Sequence, residues 1–179
     1  MLSKTSRMLN ILNILSWIIF TGLSIFAGAI LFNVIFTLFI NPVDAQTFQR
    51  GIDLSSIYLV GKGFFATVAL LMAFAAALKA YMFYLIIKAI KALDLVQPFS
   101  SQVGGYILRI AYIALFIGVL SLAGITFTDW LTDQHVKLPD MHNYIGGGGV
   151  FLLMGIILFV VAQIFKKGIE LQSENALTV

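Results

Sequence analysis

Four long apolar runs, separated by shorter polar segments, dominate the pattern of hydrophobic positions along the chain. The runs cover residues 11–40, 63–93, 103–128 and 145–165. A bilayer core of about 30 Å is crossed by about 20 helical residues, and each run meets that length. Lipid offers the backbone no hydrogen-bond partner, so a spanning run is expected to be helical. The pattern therefore predicts an all-α membrane protein, a bundle of four transmembrane helices.

The polar segments define the predicted loops and ends of this bundle. Residues 41–62 and 129–144 are expected to form two outer loops on one side of the membrane, and the fourth helix is expected to continue to residue 172. A chain of 179 residues then holds one integral membrane domain, residues 1–179, without a separate soluble domain. Within the first loop, the half-apolar segment 51–60 fits either of two positions, the membrane surface or a cap on the bundle.

The composition excludes several classes of protein. Hydrophobic residues make up 60% of the chain and charged residues 11%, with a mean hydropathy of +1.01, whereas about a quarter of the residues of a soluble domain are charged. The absence of cysteine excludes disulfides, thiolate metal ligands and a lipid-modified cysteine. No basic stretch is dense enough for a nucleic-acid interface, and the apolar runs contain no histidine that could hold a haem. We therefore expect no cofactor and no direct binding of nucleic acid.

The basic residues lie mostly on one side of the predicted bundle. Eight of the eleven flank the N-terminus, the joint between the second and third helices, and the C-terminus: Lys4, Arg7, Lys79, Lys88, Lys91, Arg109, Lys166 and Lys167. The other three share the two outer loops with five aspartates. Loops rich in Lys and Arg stay in the cytoplasm. We therefore predict a multi-pass membrane protein with both termini in the cytoplasm.

Glycine and serine residues are expected to shape the contacts and ends of the helices. The glycines within the runs let helix backbones approach closely, and they are Gly22, Gly28, Gly118, Gly124 and Gly155. The glycine run 146–149 is expected to make the start of the fourth helix loose or sharply bent. Ser100 or Ser101 is expected to cap the third helix.

Several polar side chains lie within the predicted helices, where such residues are costly. Lys79 is the only ionisable one well inside a run, and its four-carbon stem is long enough to reach the cytoplasmic boundary. We interpret Lys79 as an anchor at that interface, and the alternative is a buried contact with a substrate or a lipid headgroup. Ser24, Asn33 and Gln163 are expected to form hydrogen bonds to neighbouring helices.

Two histidines and several aspartates share the second outer loop. His135, His142, Asp133 and Asp140 supply nitrogen and oxygen ligands of the kind that hold a divalent ion, but their spacing matches no metal signature. The favoured interpretation is a solvated acidic loop, so we assign no metal site. No Ser, His and Asp constellation can be assigned either, and we predict no catalytic residue and no enzymatic activity.

Two segments on the predicted cytoplasmic side resemble the signatures of a protein family. The chain closes on AQIFKKGIELQSENALTV, and the joint before the third helix contains Gln97-Pro98-Phe99, followed by Leu108-Arg109. Both segments resemble DUF2975, a family of bacterial four-helix membrane proteins without an established function. Members are often encoded beside a small helix-turn-helix regulator, so the resemblance implies a protein that holds or releases a transcription factor at the membrane.

The leading hypothesis is a regulatory or partner-binding protein whose cytoplasmic elements bind another protein. The joint before the third helix and the C-terminal tail would form the partner surface, because apolar residues among polar ones suit a partner groove. The candidate residues are Pro98, Phe99, Phe165, Gly168, Glu170, Leu171, Gln172, Glu174, Leu177, Thr178 and Val179. The open alternative is that the tail folds back on residues 88–101 and closes the cytoplasmic face.

Two other hypotheses stay open at this point. A permease, channel subunit or immunity protein that handles small molecules or peptides would need a polar, water-accessible lining around Lys79, Asn33 and Gln163. A membrane metal-binding protein would need an ion held by His135 and His142. The lipid bilayer is a partner in every case, and a homo-oligomer is compatible with each hypothesis.

Overall fold

The structure of the chain, a computed structural model, describes residues 2–41, 48, 52–95 and 99–176, with side chains between residues 5 and 174. Its helices, in chain order, are α1 (Leu2–Phe39), α2 (Ser55–Val60), α3 (Lys62–Ala92), α4 (Ser101–Asp133), α5 (His142–Ile145) and α6 (Gly148–Ala176). The described residues contain no strand, and the predicted all-α fold is confirmed.

Within the described residues, four helices are long and apolar enough to cross a membrane, which confirms the predicted number of spans. They are α1, α3, α4 and α6, the last with α5 directly ahead of it. Neighbouring helices are antiparallel: Lys91 Nζ lies 5.5 Å from the ring centroid of Trp17, and the rings of Phe64 and Trp130 lie 6.2 Å apart between centroids. We call the end that holds the start of α1 and the end of α6 the terminal end, and the end that holds α2 and α5 the loop end.

The helices extend beyond the apolar runs that predicted them. α1 begins at Leu2 rather than near residue 11, α4 continues to Asp133 rather than to residue 128, and α6 ends at Ala176. Hydropathy marks the residues that suit lipid, whereas the hydrogen-bond ladder of a helix continues into water. The predicted outer loop 129–144 is therefore shorter in the structure, and the loop 41–62 contains α2.

The long helices pack as a chain of neighbours, α1 on α3, α3 on α4, and α4 on α6. As far as α1 and α6 are described, no Cα atom of one lies within 8 Å of a Cα atom of the other. In the most apolar 18-residue window of each helix, 44% of the residues of α3 and 39% of those of α4 are buried, against 17% for both α1 and α6. The bundle is therefore open along one side, between α1 and α6.

Glycines allow α4 and α6 to pack so closely that a side chain at these positions would clash with the backbone of the facing helix. A Cβ atom at Gly118 would lie 2.9 Å from the backbone nitrogen of Leu152, and one at Gly155 would lie 2.9 Å from that of Leu115. The predicted close approach is confirmed at these two positions and at Gly124, whose Cβ would lie 2.8 Å from Ile145 Cγ2. The prediction is wrong for the two glycines of α1, Gly22 and Gly28, because a Cβ atom there would meet nothing within 4 Å.

The segment that leads into α2 caps the loop end of the bundle. Ile52, Leu54 and Ile57 are buried in one cluster with Phe48 and Phe65, the last from the first turn of α3. The rings of Phe48 and Phe65 lie 5.5 Å apart between centroids, edge to face. The sequence allowed this segment to lie at the membrane surface or to cap the bundle, and in the structure it caps the bundle.

Asp53 directs the chain into α2. Its Oδ1 atom accepts hydrogen bonds from the backbone N–H and the hydroxyl of Ser55, at 2.9 and 2.6 Å. The Ser55 hydroxyl bond, followed by the backbone bond, stabilises the charged carboxylate and holds the pKa of Asp53 below its ordinary value.

Two predicted features of helix ends are confirmed. The Ser100 hydroxyl accepts a hydrogen bond from the backbone N–H of Val103 at 3.2 Å, which caps α4. Gly147, between α5 and α6, has a φ of +91°, in the left-handed region that favours glycine. The chain therefore bends sharply where α6 begins.

The glycine contacts predict opposite effects for one substitution at two sites. Gly118→Ala should destabilise the protein by about 1–3 kcal/mol, because the added methyl group forces α4 and α6 apart. Gly28→Ala should leave stability unchanged or raise it by up to about 1 kcal/mol, because the methyl group meets no neighbour and alanine favours a helix. Thermal unfolding of both variants in the same detergent measures the difference, and equal melting temperatures would contradict the packing.

The hydrogen bonds to Asp53 predict a pH dependence at the loop end. Because the folded-state pKa is depressed, the stabilisation of the α2 start is present above the unfolded-state pKa and is lost as pH falls through the folded-state pKa. Ser55→Ala removes the strongest bond, so the pKa of Asp53 should rise toward its ordinary value, whereas Ser55→Thr should keep it low. A carbon-13 NMR titration of the Asp53 carboxyl carbon measures both, and an unchanged midpoint in Ser55→Ala would refute the assignment.

Candidate functional site

At the terminal end, α6 contacts the joint before α4, which is the segment that links α3 to α4. The rings of Phe99 and Phe165 lie 5.3 Å apart between centroids. Gly168 makes room for Phe99, because a Cβ atom at this position would lie 2.6 Å from Phe99 Cδ1. Three of the predicted partner-binding residues therefore pack against one another. α6 continues as one helix through Phe165 and Gly168 to Ala176, so the joint packs on the body of this helix.

An apolar groove runs beside this contact, and we call it the terminal groove. It has a volume of about 630 Å³ and is lined by Phe99, Ile164, Lys167, Gly168, Leu171 and Gln172. Ile164 is 60% exposed and Leu171 is 50% exposed. Lys167 Nζ lies 3.1 Å from Glu170 Oε2, but both side chains are exposed, so this ion pair adds little stability. The groove thus offers apolar side chains with a lysine at its edge.

The predicted partner residues divide into a packed group and an exposed group. Glu170, Leu171 and Glu174 are exposed on the last turns of α6, and Gln172 is half-buried at the terminal groove. The remaining predicted residues lie outside the described residues, and they are Pro98, Leu177, Thr178 and Val179.

Several basic side chains lie at the terminal end of the bundle, and Lys167 lines the terminal groove itself. Lys166 lines a neighbouring cavity of about 220 Å³ together with Gln163, and Arg109 lines another of about 190 Å³. On the other side of the terminal end, Lys88 Nζ lies 4.7 Å from the ring centroid of Tyr84, and Lys91 lies over Trp17. Over the residues that the structure describes, the loop end is acidic by comparison, with four aspartates and two lysines.

A second candidate site surrounds Lys79, and we call it the Lys79 cavity. It has a volume of about 410 Å³, within the range of about 300–1,000 Å³ that is typical of ligand pockets. Its lining comes from α1, α3 and α5: Ile19, Gly22, Leu23, Phe26, Ala76, Lys79, Asn143 and Tyr144. The lysine is half-buried, and polar residues of α5 share a cavity with apolar residues of α1.

The Lys79 side chain points toward the loop end, which differs from the predicted anchor at the opposite boundary. Its Nζ atom lies 5.3 Å from the ring centroid of Phe151, in the first turn of α6. Side chains of a helix lean toward its N-terminus, and the N-terminus of α3 is at the loop end. The depth of Lys79 in the membrane was predictable from its position in the apolar run. The direction of its side chain instead follows from the tilt of side chains toward the N-terminus of α3.

Lys79 lacks a carboxylate partner within the described part of the chain. No described Asp or Glu oxygen lies within 4.0 Å of its Nζ atom. A lysine at the centre of a membrane-spanning helix costs about 2.5–3.5 kcal/mol. An ammonium over an aromatic face regains about 0.5–2 kcal/mol. The Phe151 ring therefore offsets part of the cost, and an anion in the cavity would offset more.

The other polar residues predicted within the helices do not line the Lys79 cavity. Gln163 is exposed at the 220 Å³ cavity near the terminal end, and Asn33 is half-buried in α1 and absent from the lining of the Lys79 cavity. The Ser24 hydroxyl donates to the carbonyl of Phe20 in its own helix, at 2.8 Å, so the predicted bond to a neighbouring helix is wrong for Ser24. The polar lining proposed for Lys79, Asn33 and Gln163 does not form one cavity.

The candidate metal ligands of the second outer loop do not converge either. Throughout the described residues, no group of three or more His, Asp or Glu side chains is placed to hold a metal ion. Asp140 instead shapes the loop, because its two oxygens accept hydrogen bonds from the backbone N–H of His142 and from Asn143 Nδ2, both at 3.0 Å. His135 occupies the turn after α4 with a φ of +65°, and Asp133 ends α4.

Sequence patterns did not connect Asn143 or Tyr144 with Lys79. Both lie in α5, four residues long, and reach the Lys79 cavity because the chain turns sharply at Gly147 before α6. The glycine run 146–149 predicted the turn, but it did not indicate which residues the turn would bring close to α3. Gly22, expected to allow a helix contact, instead leaves open space in the cavity wall.

The fold defines a multi-pass membrane protein built from four long apolar helices. The chain belongs to the family described as "Protein of unknown function (DUF2975)", whose model matches residues 51–179. The match includes α3, α5 and α6, and therefore Lys79, Asn143 and the lining of the terminal groove. No curated protein and no solved structure matches the chain.

Proposed function

We propose that the protein is a non-enzymatic membrane component that binds a cytoplasmic protein at the terminal groove. The observation that carries this proposal is the exposure of Leu171 beside Phe99 in the terminal groove, on the part of α6 that extends past the lipid. Large apolar side chains that stay exposed outside lipid mark interaction sites when they line a groove.

The length of α6 places part of the groove in water. Its 29 residues span about 43 Å, whereas the bilayer core is about 30 Å thick. Measured from Gly148, about nine residues extend past the lipid, and Leu171 is among them. The excess of Lys and Arg at this end supports a cytoplasmic location for it. The family resemblance, which implies a bacterial source, makes the membrane the cytoplasmic membrane of a bacterium.

The charges around the groove indicate the kind of partner. Lys167 lines the groove, Lys166 precedes it on α6, and Arg109 lines a separate cavity at the same end of the bundle. A partner segment that places an apolar residue between Ile164 and Leu171 would best carry acidic residues on its flanks. An amphipathic helix supplies both, since one face is apolar and the edges are charged. A small helix-turn-helix regulator, which the family resemblance implies, offers such helices.

The packed contact at Phe99 supports the groove rather than competing with it. Phe99, Phe165 and Gly168 fix the joint before α4 on α6, so one wall of the groove is held before a partner arrives. A wall that is already ordered lowers the entropy cost of binding. The packing of the joint on α6 is therefore compatible with partner binding at the same groove.

A single charge in the groove should separate partner binding from folding. Leu171→Asp in the full-length protein should reduce recovery of the cytoplasmic partner at least tenfold, because an acidic side chain replaces the apolar contact and repels acidic flanks. The melting temperature should stay unchanged, since Leu171 is half exposed. The measurement is quantitative mass spectrometry of proteins that co-purify from membranes mixed with cytosol, followed by rebinding of the purified partner to the protein in nanodiscs.

Ser173→Asp is the matched control, because it introduces the same charge two residues away on an exposed side chain that does not line the groove. Its recovery of the partner should equal that of the unmodified protein. Equal losses in both variants, or no loss in Leu171→Asp, would refute the proposed surface.

A further inference from the structure

The Lys79 cavity lies beside α1, on the side of the bundle where the described residues of α1 and α6 do not contact each other. Its lining belongs to α1, α3 and α5, and α1 does not contact α6. On the α1 side, the lining extends from Phe26 to Ile19, two residues from Trp17, which contacts Lys91 at the terminal end. At the other extreme lies Tyr144, just before α6. The cavity is therefore an elongated cleft along the bundle, with the Lys79 ammonium between its two extremes.

We infer that this cleft binds an anionic amphiphile, whose headgroup oxygens contact Lys79, Asn143 and Tyr144 and whose acyl chain lies along α1. This site is separate from the terminal groove, and the inference does not depend on the proposed partner. The headgroup is a carboxylate or a phosphate that carries a single negative charge, and both chemistries are available in a lipid membrane.

The polar part of the cleft suits an anion. Lys79 presents three N–H donors on an ammonium that no described carboxylate approaches within 4.0 Å. Asp140 accepts one N–H of the Asn143 amide and so orients it, which leaves the second N–H as a donor. Tyr144 adds a hydroxyl. The Asp140 carboxylate next to Asn143 disfavours a second negative charge on the ligand, so we assign a headgroup with one.

The apolar part of the cleft suits an acyl chain. Ile19, Leu23 and Phe26 supply apolar walls on α1, and Ala76 supplies a small one on α3. Gly22 lies among them, and a Cβ atom there would meet nothing within 4 Å. The absence of a side chain at residue 22 keeps this stretch of the cleft empty, although a larger residue would fit without a clash.

The direction of Lys79 matches a ligand that enters sideways from the membrane. Its ammonium lies over Phe151 and toward α5, inside the bundle, rather than at the terminal boundary where water would solvate it. A water-soluble anion would gain nothing from the apolar walls, whereas an amphiphile reaches the open side between α1 and α6 while its chain stays in lipid.

Filling the cleft without disturbing the fold tests this inference. Gly22→Leu places a side chain in the cleft, and Gly28→Leu is its matched control, because residue 28 is also free of neighbours within 4 Å but does not line the cleft. Lys79→Gln removes the charge, and Lys79→Arg retains it. Binding of oleate and of dioleoylphosphatidylglycerol to the purified full-length protein is measured by native mass spectrometry, with dioleoylphosphatidylcholine and glycerol 3-phosphate as reference probes.

We expect at least one of the two anionic amphiphiles to bind with a stoichiometry of one and at least tenfold more tightly than either reference probe. Gly22→Leu and Lys79→Gln should each weaken this binding at least tenfold, whereas Gly28→Leu and Lys79→Arg should keep it within about threefold. Binding of oleate alone assigns a carboxylate headgroup, and binding of the phosphatidylglycerol alone assigns a phosphate. The inference would be overturned if Gly22→Leu and Gly28→Leu bound the anionic amphiphile equally well, or if phosphatidylcholine bound as tightly as the anionic amphiphile. If Lys79→Gln fails to fold, the comparison of Gly22→Leu with Gly28→Leu still decides the test.

Discussion

Inside a bilayer, apolar side chains gain nothing from leaving water, so close packing must hold the helices of this protein together. Such packing is present between α4 and α6, where Gly118 and Gly155 meet the backbone of the facing helix. α1 has no equivalent, because Gly22 and Gly28 face open space. The bundle consequently has its glycine-mediated backbone contacts between α4 and α6 and is open between α1 and α6, and the Lys79 cavity lies beside α1.

A different force acts at the loop end, where the chain leaves lipid. Ile52, Leu54 and Ile57 are buried against Phe65 at the start of α3, and burial of such side chains away from water is worth about 1.5–3 kcal/mol each. The cap thus uses the hydrophobic effect that is missing within the membrane. At the same end, the short helix α5 turns toward α3 and brings Asn143 to Lys79. The loops therefore complete the interior of the bundle as well as connecting its helices.

The helices and the number of spans were predictable from the sequence because the bilayer imposes its constraint locally, on about 20 consecutive residues at a time. The capping role of Ser100 and the bend at Gly147 were local as well, and both are confirmed. The role of each glycine depended on a facing helix, and the neighbours of Gly118 and Gly22 cannot be known before the helices are assembled. The cavity partners of Lys79 were hidden for the same reason, since Asn143 is far away in the chain and reaches the cavity only through the turn before α6.

α6 connects the two candidate sites, because Phe151 contacts Lys79 in its first turn and Leu171 lines the terminal groove about 30 Å further along. Coupling between two sites requires an element with two arrangements that both sites bias. α6 cannot slide alone, since backbone contacts at Gly118 and Gly155 hold it on α4, and α4 begins beside Phe99, which packs on Gly168. A motion of α6 that linked the two sites would therefore carry α4 with it, and α4 also packs on α3. The open side of the bundle is where the structure leaves room for that motion.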